Sequence, residues 1–137
     1  MDWNSDLGQK LAKRLRDEQV IWLTTVRQNG APLPTPVWFV WDSESFLVYT
    51  QPGSAKLKHI AANPHVSFNL NSDEWGGSVA VFTGDITVQE DEPPSYENAA
   101  YVEKYQHGIK DLGMTPESFA AEYSVALRMW PKHIRAE

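Results

Sequence analysis

Short segments of period-two alternation, set apart by turn residues, constrain this chain more than any other feature. His65 to Asn71 puts Val66, Phe68 and Leu70 on one face and His65, Ser67 and Asn69 on the other, as a half-buried strand does. Tyr123 to Arg135 repeats the pattern, with Tyr123, Val125, Leu127 and Met129 against Ser124, Ala126, Arg128 and Trp130. Val20 to Val26 and Phe46 to Thr50 are rich in β-branched and aromatic residues. Ser78 to Gln89 reads as a long strand with a bulge at Gly84. Leu33 to Trp41 also reads as a strand, although it carries Pro34 and Pro36. Proline cannot donate to a ladder, so the first half of that segment is expected at an edge or opening. Gln28-Asn-Gly30 and Asp42 to Ser45 supply turns, making the first three strands an antiparallel meander.

Helices fill the gaps. Asn4 to Gln19 can be capped by Asn4, Ser5 or Asp6 and repeats Leu7, Leu11 and Leu15 on one side. Ser54 opens a second helix whose buried face is Leu57, Ile60 and Ala61, ended by Asn63-Pro64. Ser95 is expected to cap a helix to about Gln106, and Thr115-Pro116 to open a short one. Strands and helices do not alternate as βαβα, which argues against a doubly wound sheet. About six strands with short turns predict a small antiparallel barrel with flanking helices. The 137 residues, 42% of them hydrophobic, make one domain over 1–137 with a core of its own.

Composition removes several function classes. A net charge of −6, with no run that interleaves basic and aromatic residues, gives nucleic acid no footprint. Without cysteine there is no disulfide, thiolate chemistry or zinc–thiolate site. No apolar run is long enough to span a bilayer and no signal core is present, so a cytoplasmic protein with no membrane partner is expected. His59, His65, His107 and His133 are spaced too widely for a metal motif, and neither a nucleophile elbow nor an acid–base dyad is visible. The aromatic load is heavy: six Trp, five Tyr and five Phe. Core filling takes part of it; a ligand pocket or a subunit interface is the natural place for the rest. Trp75, Trp130 and Tyr101 are candidates for apolar walls, or plain packing.

One turn breaks a local rule. In Tyr49-Thr-Gln-Pro-Gly-Ser-Ala-Lys-Leu-Lys58 a strand ends and a helix begins at Ser54, with Lys56 in its first turn. The positive end of a helix dipole repels a lysine there by about 0.3–1 kcal/mol. A bound anion reverses the sign, since the Ser54 hydroxyl and the amides of Ala55 to Leu57 point outward as donors. The alternative is that Lys56 and Lys58 are a solvated helix face. Lys56 is expected to be exposed. The segment is neither a P-loop nor a dinucleotide fingerprint.

The leading helix, the Val20–Val26 strand, PVWFVWD, FLVYTQPGSAKLKHIAANPHVSF and VAVFTGDITV follow one another in an order that covers nearly the whole chain. Together they resemble the split-barrel flavin-binding superfamily typified by pyridoxamine 5′-phosphate oxidase, and within it the short reductases that use the deazaflavin coenzyme F420. The resemblance implies a six-stranded antiparallel split β-barrel of the FMN-binding type and a homodimer holding one cofactor in each groove between subunits. It implies that Pro36, Val37, Trp38 and Phe39 line the cofactor ring, and that Thr50, Gln51, Ser54, Lys56 and Lys58 hold its phosphate end. It also implies an oxidoreductase passing hydride from reduced F420 to a small conjugated organic acceptor, with no catalytic side chain named. FMN is the alternative cofactor, for an oxidase or flavin reductase. A non-catalytic carrier of a flavin, tetrapyrrole or fatty acid is the third reading. The R-x-V-L-L-K run of the vitamin B6 oxidases is missing from PVWFVWD, and Arg128 precedes Trp130 rather than following it. Both departures argue against pyridoxamine phosphate as substrate.

Overall fold

The computed structural model describes residues 1–137. Its seven strands form one antiparallel sheet in the order β2-β1-β5-β6-β7-β4-β3. The strands are β1 (Ile21–Val26), β2 (Pro32–Val37), β3 (Val40–Trp41), β4 (Phe46–Thr50), β5 (His65–Asn69), β6 (Ala80–Val88) and β7 (Val125–Ala136). The helices are α1 (Asp6–Asp17), α2 (Ala55–Ala62), α3 (Ala99–Asp111) and α4 (Pro116–Glu122).

The expected strand Leu33–Trp41 is two strands, β2 and β3, parted at Trp38-Phe39, which raises the count from six to seven. They are the two opposite edges of the sheet. In a flat sheet, six inter-strand steps of about 4.8 Å would hold those edges roughly 29 Å apart. Three peptide steps from Val37 to Val40 reach about 11 Å at most. The sheet therefore has to curl until the Val37 end of β2 and the Val40 end of β3 come within that reach, and the two-residue crossover spans the gap between the unpaired edges. The prolines agree with the placement: Pro32, Pro34 and Pro36 recur at every second residue of edge strand β2. Successive backbone N–H groups point to opposite edges, so all three missing donors fall on the free side.

Strand β4 is buried along its whole length because both of its faces are covered. Phe46 and Val48 face the barrel core with Leu23, Phe68, Phe82 and Leu127. Leu47 and Tyr49 face a second core under α3 and α4 with Tyr101, Tyr105 and Phe119. The bulge falls between Thr83 and Gly84. A Cβ at Gly84 would lie 2.7 Å from the Trp130 carbonyl oxygen, so glycine is required by the close approach of β7.

Helix ends depart from the sequence reading where side chains chose other partners. Ser5 caps α1 through the Gly8 amide, but Leu7 is 40% exposed and the buried stripe is Gly8, Leu11 and Leu15. Ala61 is exposed, leaving Ile60 as the buried residue of α2. Ser95 opens only a 3-10 turn (Ser95–Glu97); Asn98 caps α3 by accepting from the Tyr101 amide at 3.1 Å. Thr115 and Ser118 form a reciprocal capping box on α4.

Two neighbours on α3 clamp the crossover. The Tyr105 hydroxyl accepts from the Phe39 amide at 2.8 Å and stands 2.8 Å and 3.0 Å from the carbonyls of Gln19 and Phe39. The Lys104 ammonium donates to the Phe39 and Leu15 carbonyls at 3.0 Å and 3.3 Å and lies 3.7 Å above the Phe39 ring. Tyr105→Phe strands a buried amide and is expected to destabilise the chain by about 1–3 kcal/mol. Denaturant unfolding measures this; an unchanged midpoint would show that the hydroxyl does not hold the crossover.

Burial pushes the Lys104 amine down from its ordinary 10.5 to about 8, against the opposing pull of Asp17 and Glu18. A lysine with a lowered folded-state value binds fewer protons folded than unfolded between those limits, so stability rises with pH from about 8. The rise is readable up to about pH 10, where buried tyrosines such as Tyr49, pushed up to about 12, begin to oppose it. The Lys104→Met chain is expected to lose this slope in thermal melts across pH 8–10, and an identical slope in both chains would contradict the assignment.

Candidate functional site

The turn after β4 is built around an unpaired cation. Lys56 is half-buried rather than exposed, and it takes part in none of the ion pairs of the chain. Its ammonium donates to Thr50 Oγ1 at 3.2 Å, and burial alone pushes its pKa below the ordinary lysine range. Thr50, 5% exposed at the end of β4, donates a hydrogen bond in turn to Ser54 Oγ at 3.3 Å. Ser54 stands at the N-cap of α2 with an extended backbone, yet its side chain caps no amide. The Ser54 carbonyl takes the Leu57 amide at 3.1 Å, so Leu57 does not point outward as a free donor. The amides of Ala55 and Lys56 are left without a partner in the chain. The Ser54 hydroxyl, two amide donors and an ammonium thus gather at one helix end that contains no acidic residue in its first turn, with the buried Thr50 hydroxyl bonded to both Ser54 and Lys56. Such a donor set takes a phosphate or carboxylate group.

The other residues named from the sequence are spread around this centre. Lys58 is exposed on α2. Gln51 gives its side-chain amide to Glu122 at 2.9 Å, which ties the turn to the end of α4. His59, one turn on, faces β1, with Nδ1 3.0 Å from Thr25 Oγ1. Pro36 is exposed and Val37 partly so on the free edge strand. Trp38 turns inward, stacked on Tyr105 at 4.5 Å and 4° and on Phe119 at 5.4 Å. Phe39 is fully buried. Through their side chains these two shape the crossover from within. Tyr101 lies in the second core, whereas Trp75 is 88% exposed on the β5–β6 loop and Trp130 is 46% exposed on β7. The three do not form a common wall.

Arg128, Lys104 and Tyr105 carry more of the architecture than sequence reading gave them. Arg128 sits at the centre of an ion-pair network with Asp42 and Glu92. A lysine beside the Tyr101, Tyr105 and Ile109 stripe of α3 was the available signal for Lys104. No helix is long and apolar enough to cross a membrane, and no three or more His, Cys, Asp or Glu side chains are grouped as a metal site would need.

Solved structures of low identity share this fold. An F420 reductase is 22% identical, with 91% of this chain and 95% of that one covered and a TM-score of 0.66. HutZ, the heme storage protein of Vibrio cholerae, is 15% identical over 96% and 95% of the two chains, with a TM-score of 0.67. The pyridoxine/pyridoxamine 5′-phosphate oxidase of Photorhabdus laumondii is 35% identical over 65 residues; the match takes in 47% of this chain but only 30% of that enzyme. The model of the family described as pyridoxamine 5′-phosphate oxidase matches residues 7–136, which is nearly all of the curled sheet and its helices, and the chain belongs to that family.

Proposed function

We propose that the chain is an oxidoreductase using reduced coenzyme F420 as hydride donor to a small conjugated organic acceptor. The observation that carries the reading is the half-buried Lys56 ammonium, unpaired by any carboxylate and set beside the free amides of Ala55 and Lys56. The donor set fits the phosphate of such a cofactor: Lys56, the two amides and the Ser54 hydroxyl would hold it, with Thr50 positioning Ser54 and Lys56 through its own hydrogen bonds. The exposed Pro36–Val37 edge would present one side of the ring, its carbonyls free of competing N–H donors. The cofactor, when bound, supplies the hydride chemistry, which leaves the protein to orient the ring, neutralise the phosphate and exclude water. The F420 reductase of the same fold lends support to the choice of donor.

None of the three principal grooves of the single chain contains Lys56, which favours a site completed by a second copy. The proposal therefore includes a homodimer with a cofactor at each junction, and sedimentation of the purified protein as a monomer at working concentrations would count against it. Titration with F420, followed by deazaflavin fluorescence, tests the main claim. Saturation at micromolar cofactor is expected, with FMN weaker. A protein that purifies yellow and releases FMN on denaturation would instead assign the flavin reading, which the similarity to the Photorhabdus oxidase favours. Failure to bind either cofactor would remove both.

A further inference from the structure

Lys104 faces a groove of about 880 Å³ that runs between α1 and α3 to the β3 edge. Small-molecule sites occupy roughly 300–1,000 Å³. Trp3 and Trp41 build an aromatic wall, their rings 5.8 Å apart and tilted by 38°, and Ala12 and Ala100 extend its apolar surface. The charges of the lining are not equivalent. Arg16 and Asp17 pair at 3.4 Å with side chains 68% and 48% exposed, and Asp17 also takes Lys13 at 2.6 Å. Glu103 is exposed. Lys104 is the half-buried charge, and its ammonium belongs to no ion pair.

Two of its three N–H groups go to the Leu15 and Phe39 carbonyls, leaving the third for a ligand. Its lowered affinity for a proton records a desolvation that the attraction of the Asp17 and Glu18 carboxylates does not offset. Ser43 lines the same groove at φ +80°. Glycine would adopt that left-handed conformation with less strain, and strain of this kind gathers at ligand sites. Asp42 holds the amides of Glu44 and Ser45 at 3.0 Å and 2.7 Å, while the exposed Ser43 hydroxyl makes no hydrogen bond within the chain and is free to meet a ligand.

We propose that this groove binds a small aromatic carboxylate, its ring against Trp3 and Trp41 and its carboxylate on the Lys104 ammonium, with the Ser43 hydroxyl as a second donor. The site is separate from the α2 turn and does not depend on the oxidoreductase reading. A carboxylate completes the pairing of Lys104, so binding near pH 8 draws a proton onto the amine.

Calorimetric titration of the full chain with 2-naphthoate at pH 8, in two buffers of different ionisation enthalpy, tests this. Saturable binding with uptake of part of a proton is expected. Lys104→Met and the neutral analogue 2-naphthamide should each weaken binding at least about tenfold, and Lys56→Met should leave it unchanged. The proposal is overturned if millimolar naphthoate gives no saturable heat. It is equally overturned if acid and amide bind alike without proton uptake, or if Lys56→Met abolishes binding while Lys104→Met does not. Should Lys104→Met fail to fold, proton uptake and the acid–amide comparison in the unaltered chain decide the matter.

Discussion

Replacing Lys56 with methionine is expected to weaken binding of the phosphate-bearing cofactor about 10- to 100-fold, the range for losing a hydrogen bond to a charged group. Methionine keeps the length and apolar stem of the side chain, so the substitution removes the charge and little packing. In the unliganded chain the same change should be neutral or mildly stabilising. Burial is the one cause that depresses the Lys56 pKa, so the ammonium is worse off in the folded protein than in water, and only a long bond to Thr50 offsets that. Opposite signs on binding and stability mark a group placed for a ligand rather than for the fold. Fluorescence titration gives the first quantity and thermal melts the second. Inorganic phosphate should compete with the cofactor in the unaltered chain and much less in the variant. Unweakened binding in Lys56→Met would move the phosphate elsewhere, and a large loss of apo stability would make Lys56 structural.

Much of this site was legible because it is local. Ser54, Lys56 and the helix they open lie within a few residues, and a lysine at the positive end of a helix is visible as a conflict in the sequence alone. Its half-burial was not legible, because the surface that covers it includes Thr50 and the neighbouring end of the sheet. The same division runs through the fold. Alternation located the strands and Gly84 located the bulge. The break at Trp38-Phe39 escaped because nothing local announces it: PVWFVWD is a good strand by composition. What ends β2 is a tertiary event, the stacking of Trp38 on Tyr105 and the hold of Tyr105 and Lys104 on the Phe39 backbone. Ser95 was a plausible cap that lost to Asn98 three residues later, a competition that propensity cannot settle when both residues favour the position.

Arg128 should be the most costly of the charged side chains to lose, although its alternation on β7 reads as an outward position. Its Nη1 reaches Asp42 Oδ2 and Ser45 Oγ, each at 2.7 Å, and its Nε and Nη2 hold Glu92 Oε1 at 3.1 Å and 2.7 Å. The Arg128 and Glu92 side chains are only 14% and 16% exposed. Arg128→Met strands the Glu92 carboxylate in that setting and releases the β3–β4 turn from β7. Breaking a buried pair costs about 3–5 kcal/mol. Asp42 is 46% exposed and recovers water, so the lower end, about 3 kcal/mol, is expected. That lowers the thermal midpoint by roughly 10 °C in a domain of this size. Arg128→Lys should recover part of the loss, since an ammonium keeps the charge but cannot span both acids as the planar fork does. The network also sets an acid limit. Burial raises the Asp42 pKa, but the amides of Ser45 and Glu44, the Ser45 hydroxyl and Arg128 together hold it below its ordinary 3.8. A carboxylate with a lowered folded-state value stabilises the chain above that ordinary value and loses the contribution as pH falls below it. A stability difference between the unaltered and Arg128→Met chains should therefore be present at pH 7 and shrink towards pH 3. A variant with an unchanged midpoint and lost cofactor or acceptor binding would instead place Arg128 in a binding site.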